Sequence, residues 1–388
     1  HYRHCISKIV AAVIITARRK AKVEAEEFIN IHTHTIYYAT NLLKLLQIHH
    51  TYIIFVTMKV IIDSAIPFIH GVLEPFAEVI YAQGDAISRQ MVADADALII
   101  RTRTRCNSDL LDGSQVKFIA TATIGFDHID TEFCNARGIT VARAAGCNAR
   151  GVLQWVAAVL VDICRREGCN PSDRTLGIVG VGNVGSLVKE YAESWGFKVL
   201  CCDPPRQQRE GLSDFMSLQE LISQVDILTL HTPLDSTTRG MISSTTLSPL
   251  RHGATVINAS RGEVAQTEAL LRSDINCAID VWEHEPNIDA RLLNKAFVST
   301  PHIAGYSLQG KANATAMVVV ALARYFHLPL TDWYPEGITK TIPKDIDWQT
   351  LNNTIDNYCN LTAESAPLKS SLDFETIRNN YNYRTEYF

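Results

Sequence analysis

From Met58 onward, short apolar runs rich in valine and isoleucine alternate with longer segments whose apolar residues recur at helical spacing. This alternation predicts parallel strands joined by crossover helices, an α/β fold. We predict a first group of strands at Lys59–Asp63, Ala97–Thr102, Lys117–Thr121 and Thr140–Arg143. A long helix is predicted next, at Ala149–Glu167, because Gly168 and Pro171 follow it as stop signals.

A second, stronger group of apolar runs follows the long helix. Its six strands are predicted at Thr175–Val179, Lys198–Asp203, Val225–His231, Ala254–Ser260, Cys277–Trp282 and Phe297–His302. Six strands separated by helix-length segments are typical of a doubly wound dinucleotide-binding fold. One more helix, roughly Gly310–Phe326, is long enough to cross back to the first group. We therefore predict two Rossmann-like domains, one from residues 58–150 with 303–330 and one from residues 151–302.

Residues 1–57 differ from the rest of the chain in composition. They contain no Gly, Pro or Asp and hold six of the thirteen histidines, and the first methionine of the sequence is Met58. Leu42–Val56 is largely apolar, which leaves a membrane anchor as one interpretation, but polar residues interrupt it before it reaches about 18 residues. A signal peptide would need a small-residue cleavage site, and none is evident. We expect residues 1–57 to be an extension outside the native protein.

Overall composition and charge exclude several classes of function. Apolar residues make up 47% and charged residues 20% of the 388 residues, as in ordinary globular proteins. The net charge of −5 gives no reason to expect nucleic acid or an acidic membrane as a partner. The ten cysteines are scattered and form no CxxC pair, so we expect no metal site and reduced thiols in a cytoplasmic protein.

A glycine loop and a later acid indicate a dinucleotide site. Gly180, Gly182 and Gly185 follow a predicted strand and open a helix, where they permit a tight turn and let a pyrophosphate approach the backbone. The next strand ends at Asp203, near the spacing expected for a carboxylate that binds the ribose hydroxyls. An acid there repels a 2′-phosphate, so NAD is favoured over NADP.

Three further residues could carry the oxidation of a 2-hydroxy acid. Arg261 follows a predicted strand and could grip a carboxylate, Glu285 lies just beyond the next strand, and His302 ends the last one. Each residue alone is better explained as a surface or structural residue. Together at the carboxyl ends of parallel strands, where α/β folds place their sites, they indicate an acid/base centre.

These motifs are similar to those of the D-2-hydroxyacid dehydrogenase superfamily. The matching segments are Gly180–Gly185, Asn258–Gly262, Asp280–Pro286 and Thr300–His302. The resemblance runs from Met58 to about Phe326. It implies that Arg261 binds the substrate carboxylate, that Glu285 pairs with His302, and that His302 is the acid/base.

Finer features resemble a subgroup that oxidises a phosphorylated four-carbon 2-hydroxy acid. They lie at Thr121–His128, Gly146–Asn148, Cys202–Pro205 and His302–Tyr306. This resemblance implies substrate contacts at Thr102, Thr123 and Tyr306. It implies NAD contacts at Gly180, Gly182, Asn183, Val184, Gly185, Asp203, Thr232, Asp280 and Gly305. Two departures are Ala145 and Gln154, where the pattern usually has Pro and Glu.

Two further expectations concern the C-terminal domain of the protein and the residues that bind the substrate phosphate. The resemblance implies a homodimer held by an α+β C-terminal domain, of which residues 331–388 would be a shortened part. The phosphate of the substrate needs cations in the first domain. Arg101, Arg103 and Arg105 alternate, so they would share one face if the strand before them continued.

Two other functions remain open. A phosphoglycerate dehydrogenase or another D-2-hydroxyacid dehydrogenase would use the same three catalytic residues. A non-catalytic, NAD-sensing protein like the transcriptional corepressors of this fold would also keep them.

Overall fold

The computed structural model describes residues 58–211 and 214–388. The expectation for residues 1–57 falls outside these residues. Within them, no helix is long and apolar enough to cross a membrane.

Residues 59–143 form a five-stranded sheet. Its strands are β1 (Lys59–Asp63), β2 (Glu78–Ala82), β3 (Ala97–Ile100), β4 (Phe118–Thr121) and β5 (Thr140–Arg143). Their order is β2-β1-β3-β4-β5, and the β1–β3, β3–β4 and β4–β5 pairs are parallel. This is the flavodoxin-like order of doubly wound sheets, which requires crossover connections.

Residues 175–299 form a six-stranded sheet. Its strands are β6 (Thr175–Val179), β7 (Lys198–Cys202), β8 (Ile227–Leu230), β9 (Thr255–Asn258), β10 (Asn276–Ile279) and β11 (Val298–Ser299). Their order is β11-β10-β9-β8-β6-β7, with all neighbours parallel. The strand order reverses between β6 and β8, and this switch point is where such folds bind ligands. The prediction of two doubly wound sheets is confirmed.

The helices cover both sheets and extend to the C-terminus. In chain order they are α1 (Arg89–Val92), α2 (Ser108–Leu111), α3 (Thr131–Ala136), α4 (Ala149–Glu167), α5 (Asn183–Trp195), α6 (Pro204–Glu210), α7 (Leu218–Ile222), α8 (Ser244–Leu247), α9 (Thr267–Arg272), α10 (Ala290–Lys295), α11 (Leu308–Phe326), α12 (Trp348–Thr354), α13 (Leu361–Ser371) and α14 (Phe374–Asn379). Short 3-10 turns lie at Pro171–Asp173, Gly262–Val264 and Ile355–Asn357.

Helix α4 is the central helix of the structure. Almost every side chain from Ala149 to Val161 is buried, as expected of a helix that is covered on all faces. It packs against α5, α11 and α13. Helix α11 in turn packs against β4 and β5, so the chain returns to the first sheet after completing the second.

The structure differs from the sequence prediction in the first sheet. Strand β2 was not predicted, because Glu78–Ala82 is only half-buried and gives a weak apolar signal. Strand β3 ends at Ile100 rather than Thr102, since the Arg101 Nε atom donates to the Asp63 carboxylate (3.1 Å) and the chain turns. The expected alternation of Arg101, Arg103 and Arg105 on one strand face is therefore wrong.

The C-terminal part is helical within the described residues from 331 onward. Beyond α14 the chain forms one isolated parallel bridge, between Ser307 and Arg384. The last residues pack against the body of the protein, and Phe388 is buried beside Tyr191 and Trp195. Whether this part mediates dimerisation stays a prediction.

Gln154 ties this C-terminal part to the central helix. It is 1% exposed, its Nε2 atom donates to the carbonyls of Tyr358 (3.1 Å) and Thr385 (3.2 Å), and its Oε1 atom accepts from the N–H of Tyr387 (2.7 Å). A glutamine amide can donate twice and accept once, whereas a carboxylate can only accept. The departure from the family's Glu is therefore explained by the C-terminal backbone.

We expect Gln154→Glu to lower the free energy of unfolding by about 2–4 kcal/mol, because a buried carboxylate would face two carbonyl oxygens. Urea unfolding measures the effect. Gln208→Glu, at an exposed position of α6, is the matched control and should change stability by less than about 0.5 kcal/mol. Equal stability of the two variants would show that the Gln154 hydrogen bonds contribute nothing.

Candidate active site

His302 and Glu285 form an ion pair at the carboxyl ends of β10 and β11. The His302 Nδ1 atom lies 2.8 Å from one Glu285 oxygen, and the N–H of Trp282 donates to the other oxygen (2.9 Å). Burial alone would raise the pKa of the Glu285 carboxyl, but His302 and the N–H of Trp282 outweigh it and lower that pKa. Glu285 is therefore a carboxylate at neutral pH, and it leaves the His302 Nε2 atom facing away from the pair.

Asp280 fixes the loop that carries His302. Its Oδ1 atom accepts from the Thr300 hydroxyl (2.6 Å), the Ile303 N–H (2.8 Å) and the Ala304 N–H (3.0 Å). These bonds hold His302 with a φ of 58°, in the left-handed region that few residues other than glycine adopt. Burial raises the pKa of Asp280, although its hydrogen bonds and His302 oppose the shift.

Arg384 holds the same loop from its other side. Its Nη2 atom donates to the carbonyls of Ile303 (3.2 Å) and Ala304 (2.6 Å), while its Nη1 atom pairs with Glu364 (2.7 Å). The N–H groups of this loop are thus bound by Asp280 and its carbonyls by Arg384. The C-terminal part therefore supports the backbone next to the candidate base.

Arg261 faces the loop that follows β4. A methyl group added to Gly125 would overlap the Arg261 guanidinium, and the same loop carries Thr123, whose hydroxyl donates to the Gly125 carbonyl (3.0 Å). Burial lowers the pKa of the nearby His128, with Asp127 opposing the shift and Arg261 adding to it. Arg261, which follows a strand of the second sheet, therefore lies against the loop of the first sheet that carries Thr123.

The glycine loop has the shape of a dinucleotide site. A methyl group on Gly185 would overlap the Gly180 carbonyl oxygen, whereas one on Gly182 would meet no atom within 4 Å. The third glycine is thus required by packing, while the second leaves open space in front of the backbone. The Thr232 methyl group lies beside Gly180, and the buried Thr232 hydroxyl has no hydrogen-bond partner within the described residues. Open space and an unpaired hydroxyl fit the pyrophosphate of NAD.

Asp203 directly follows β7, at the position where the sequence predicted a carboxylate that binds the ribose of NAD. One oxygen accepts from the Val181 N–H (2.8 Å) in the glycine loop, and the other accepts from the Arg206 N–H (2.9 Å) and caps α6. Arg206 could favour a 2′-phosphate, but its guanidinium pairs with Glu210 (2.8 Å) and donates to the Val181 carbonyl (2.7 Å). The local charges therefore favour NAD.

Two other predicted cofactor residues, Gly305 and Asn183, lie beside the loop that follows β5. A methyl group on Gly305 would overlap the side chain of Asn148, whose Oδ1 atom is buried without a partner within the described residues. A methyl group on Gly146 would lie 3.0 Å from the Asn183 side chain. The loop after β5 thus meets both the glycine loop and the loop after His302. Val184 is half-buried in the first turn of α5.

Of the three predicted substrate residues, Tyr306 has the most contacts. Its hydroxyl accepts from Arg378 Nε (3.0 Å), and the Lys311 Nζ atom lies 3.6 Å from the centre of its ring. Thr102 is exposed in the turn after β3, and no hydrogen bond joins it to the other predicted residues in the part of the chain described here. Its role in substrate binding stays a prediction.

Comparison with known proteins agrees with this geometry. Residues 153–304 match the family described as D-isomer specific 2-hydroxyacid dehydrogenase, NAD binding domain. The erythronate-4-phosphate dehydrogenase of Bacteroides thetaiotaomicron is 45% identical over 342 residues, covering 85% of this chain and 97% of that protein. The enzyme of the same name from Shigella flexneri is 38% identical over 349 residues, covering 85% and 92%.

The chain belongs to the erythronate-4-phosphate dehydrogenase family. A solved structure with a related fold is the NAD+-bound 3-phosphoglycerate dehydrogenase of Entamoeba histolytica, with a TM-score of 0.60 and 25% identity over 74% of this chain and 100% of that one. Membership of the erythronate-4-phosphate dehydrogenase family confirms the resemblance inferred from the sequence motifs.

Sequence reasoning missed several residues that border the site. Asp127 and His128 border Arg261, but they lie in a loop whose shape the apolar pattern does not predict. Lys311, Arg378 and Arg384 come from α11 and the C-terminal part, and only the fold brings them near Tyr306 and His302. A lysine in an amphipathic helix gives no signal that distinguishes it from a surface residue.

The two glycines of the loop should respond differently to substitution by alanine. Gly182→Ala should change the free energy of unfolding by less than about 0.5 kcal/mol but weaken NAD binding by about tenfold or more, because the methyl group enters the space for the pyrophosphate. Gly185→Ala should cost about 1–3 kcal/mol of stability without cofactor. Urea unfolding and calorimetric titration with NAD measure both effects. Unchanged NAD affinity in Gly182→Ala would contradict the assignment of this loop.

Proposed function

We propose that this protein oxidises 4-phospho-D-erythronate at C2, with NAD, to 3-hydroxy-2-oxo-4-phosphonooxybutanoate, in the synthesis of the vitamin B6 cofactor pyridoxal 5′-phosphate. The Glu285–His302 pair carries the proposal, since it is an oriented base at the strand ends beside a dinucleotide loop. The substrate class is supported by the names of relatives up to 46% identical.

The substrate carboxylate would be held by Arg261, whose guanidinium can donate two parallel hydrogen bonds. Its Nη1 atom already donates to the Ser260 carbonyl (2.7 Å), which fixes the direction of the side chain. Asn258 orders the same loop, because its Nδ2 atom donates to the Arg261 carbonyl (3.1 Å). With the carboxylate held, the C2 hydroxyl has one orientation toward the base.

The His302 Nε2 atom would take the proton of the C2 hydroxyl. Its Nδ1 side is bound to Glu285, and this carboxylate stabilises the imidazolium that forms. When bound, NAD supplies a nicotinamide that accepts the C2 hydrogen as hydride. The glycine loop, Thr232 and Asp203 would hold the cofactor, and the hydroxyl carbon becomes a carbonyl carbon.

The proposal is tested by turnover of the full chain with NAD. We expect kcat/KM for 4-phosphoerythronate to exceed that for 3-phosphoglycerate, D-glycerate and D-lactate by about tenfold or more. His302→Ala should lower turnover about 10²- to 10⁴-fold, with NAD affinity kept, because only the base is removed.

Preference for 3-phosphoglycerate would favour the alternative of a phosphoglycerate dehydrogenase. NAD binding without turnover of any acid would favour a non-catalytic, NAD-sensing protein.

Glu285→Gln tests the ion pair through its pH dependence. In the oxidation direction His302 must be neutral to accept a proton, so activity rises with pH. Without the carboxylate the imidazolium loses its partner, and the rising limb of kcat/KM should move to lower pH. The maximal rate should also fall. A pH profile identical to that of the unmodified protein would contradict a catalytic role for the pair.

We also propose that the protein is a cytoplasmic homodimer. The nine cysteines within the described residues are all free thiols, which suits a reducing compartment. The homodimer follows from the family resemblance, and sedimentation of the full chain tests it.

A further inference from the structure

Two cationic side chains lie at Tyr306, and a third acts on one of them. The Lys311 Nζ atom lies 3.6 Å from the centre of the Tyr306 ring and 5.3 Å from that of Tyr383. Arg378 donates from Nε to the Tyr306 hydroxyl (3.0 Å), which leaves both of its terminal nitrogens without a partner within the described residues. Arg101 is the third, as one of the two charges that act on Lys311. We call Arg101, Lys311 and Arg378 the cation cluster.

The acids near the cation cluster already have other partners. Asp63 is paired with Arg101 (3.1 Å). Two acids act on Arg378, and each is already bound elsewhere. Glu285 is bound to His302, and Asp280 accepts hydrogen bonds from Thr300, Ile303 and Ala304. Lys311 has no hydrogen-bond acceptor or ion-pair partner within the described residues. Burial, together with Arg101 and Arg378, lowers the pKa of Lys311 to about 8. Neither Lys311 nor Arg378 thus has an ion-pair partner within the described residues.

Lys311 and Arg378 are half-buried and thus partly desolvated, so a bound anion would stabilise them. A phosphate monoester carries close to two negative charges at neutral pH and several strong acceptor oxygens. Its charge matches that of Lys311 and Arg378, and the two free nitrogens of Arg378 suit bidentate contact with phosphate oxygens. Lys311 and Arg378 lie at Tyr306, which follows His302 by four positions in the chain and is one of the predicted substrate residues.

We propose that Lys311 and Arg378, with Arg101 beside them, bind the phosphate of the substrate and so select phosphorylated acids over unphosphorylated ones. This inference rests on the proposed function and adds to it the residues that read the phosphate. Of the arginine trio expected from the sequence, it keeps only Arg101. Arg103 is instead exposed and paired with Glu375 (3.0 Å), and Arg105 is exposed.

The test compares 4-phosphoerythronate with erythronate in the full chain. Lys311→Met keeps the length of the side chain and removes its charge, so it should lower kcat/KM for 4-phosphoerythronate about 10- to 150-fold. The value for erythronate should stay within about twofold. Arg378→Lys, which keeps a charge but not the fork, should show a smaller loss on the phosphorylated acid only. Lys340→Met is the matched control, because Lys340 also lies over a tyrosine ring, that of Tyr334 (4.6 Å), but is exposed.

A second measurement does not depend on turnover. Calorimetric titration of the NAD-loaded protein with inorganic phosphate should show binding to the unmodified chain and to Lys340→Met, and much weaker binding to Lys311→Met. If no acid is turned over but phosphate binding still depends on Lys311, the phosphate site stands and the proposed function fails. If 4-phosphoerythronate is preferred and Lys311→Met and Arg378→Lys keep that preference, the phosphate site is wrong and the function stands. Equal losses on both acids would show a structural role and would also overturn the site.

Discussion

The placement of His302 depends on one buried carboxylate. Asp280 lies at the end of β10, 1% exposed, and its oxygens take up the hydrogen bonds of Thr300, Ile303 and Ala304. These bonds help to hold His302 at a positive φ, where its imidazole meets Glu285. An acceptor with two oxygens suits this position, because several donors converge from one direction.

The C-terminal part supports the same loop as Asp280. Arg384 binds the carbonyls on the other side of the loop, and Glu364 and Tyr381 hold Arg384 in place. Gln154 connects the same segment to the central helix. Residues that are distant in sequence and belong to neither parallel sheet therefore form part of the surroundings of the candidate base. The C-terminal part of this protein therefore helps to position the candidate base.

The sequence predicted the features that depend on a recurring apolar pattern or on a short local motif. Ten of the eleven strands were predicted, because parallel strands covered on both faces read as apolar runs. The glycine loop, Asp203 and the Glu285–His302 pair follow from position at strand ends. The half-buried strand β2 gave too weak a signal. The turn after Ile100 depends on Asp63, a partner distant in sequence, so the direction of Arg101 could not be predicted. The positions of Lys311 and Arg384 are set by tertiary packing alone.

The double support of the loop at Ile303 and Ala304 has a consequence for how the site is organised. Its backbone N–H groups and carbonyls are bound by groups that are buried in the folded protein itself. The orientation of the base is therefore established by folding, and substrate binding does not have to supply free energy for it. A site of this kind is preorganised. The same buried hydrogen bonds therefore contribute both to the stability of the folded protein and to the geometry of the base.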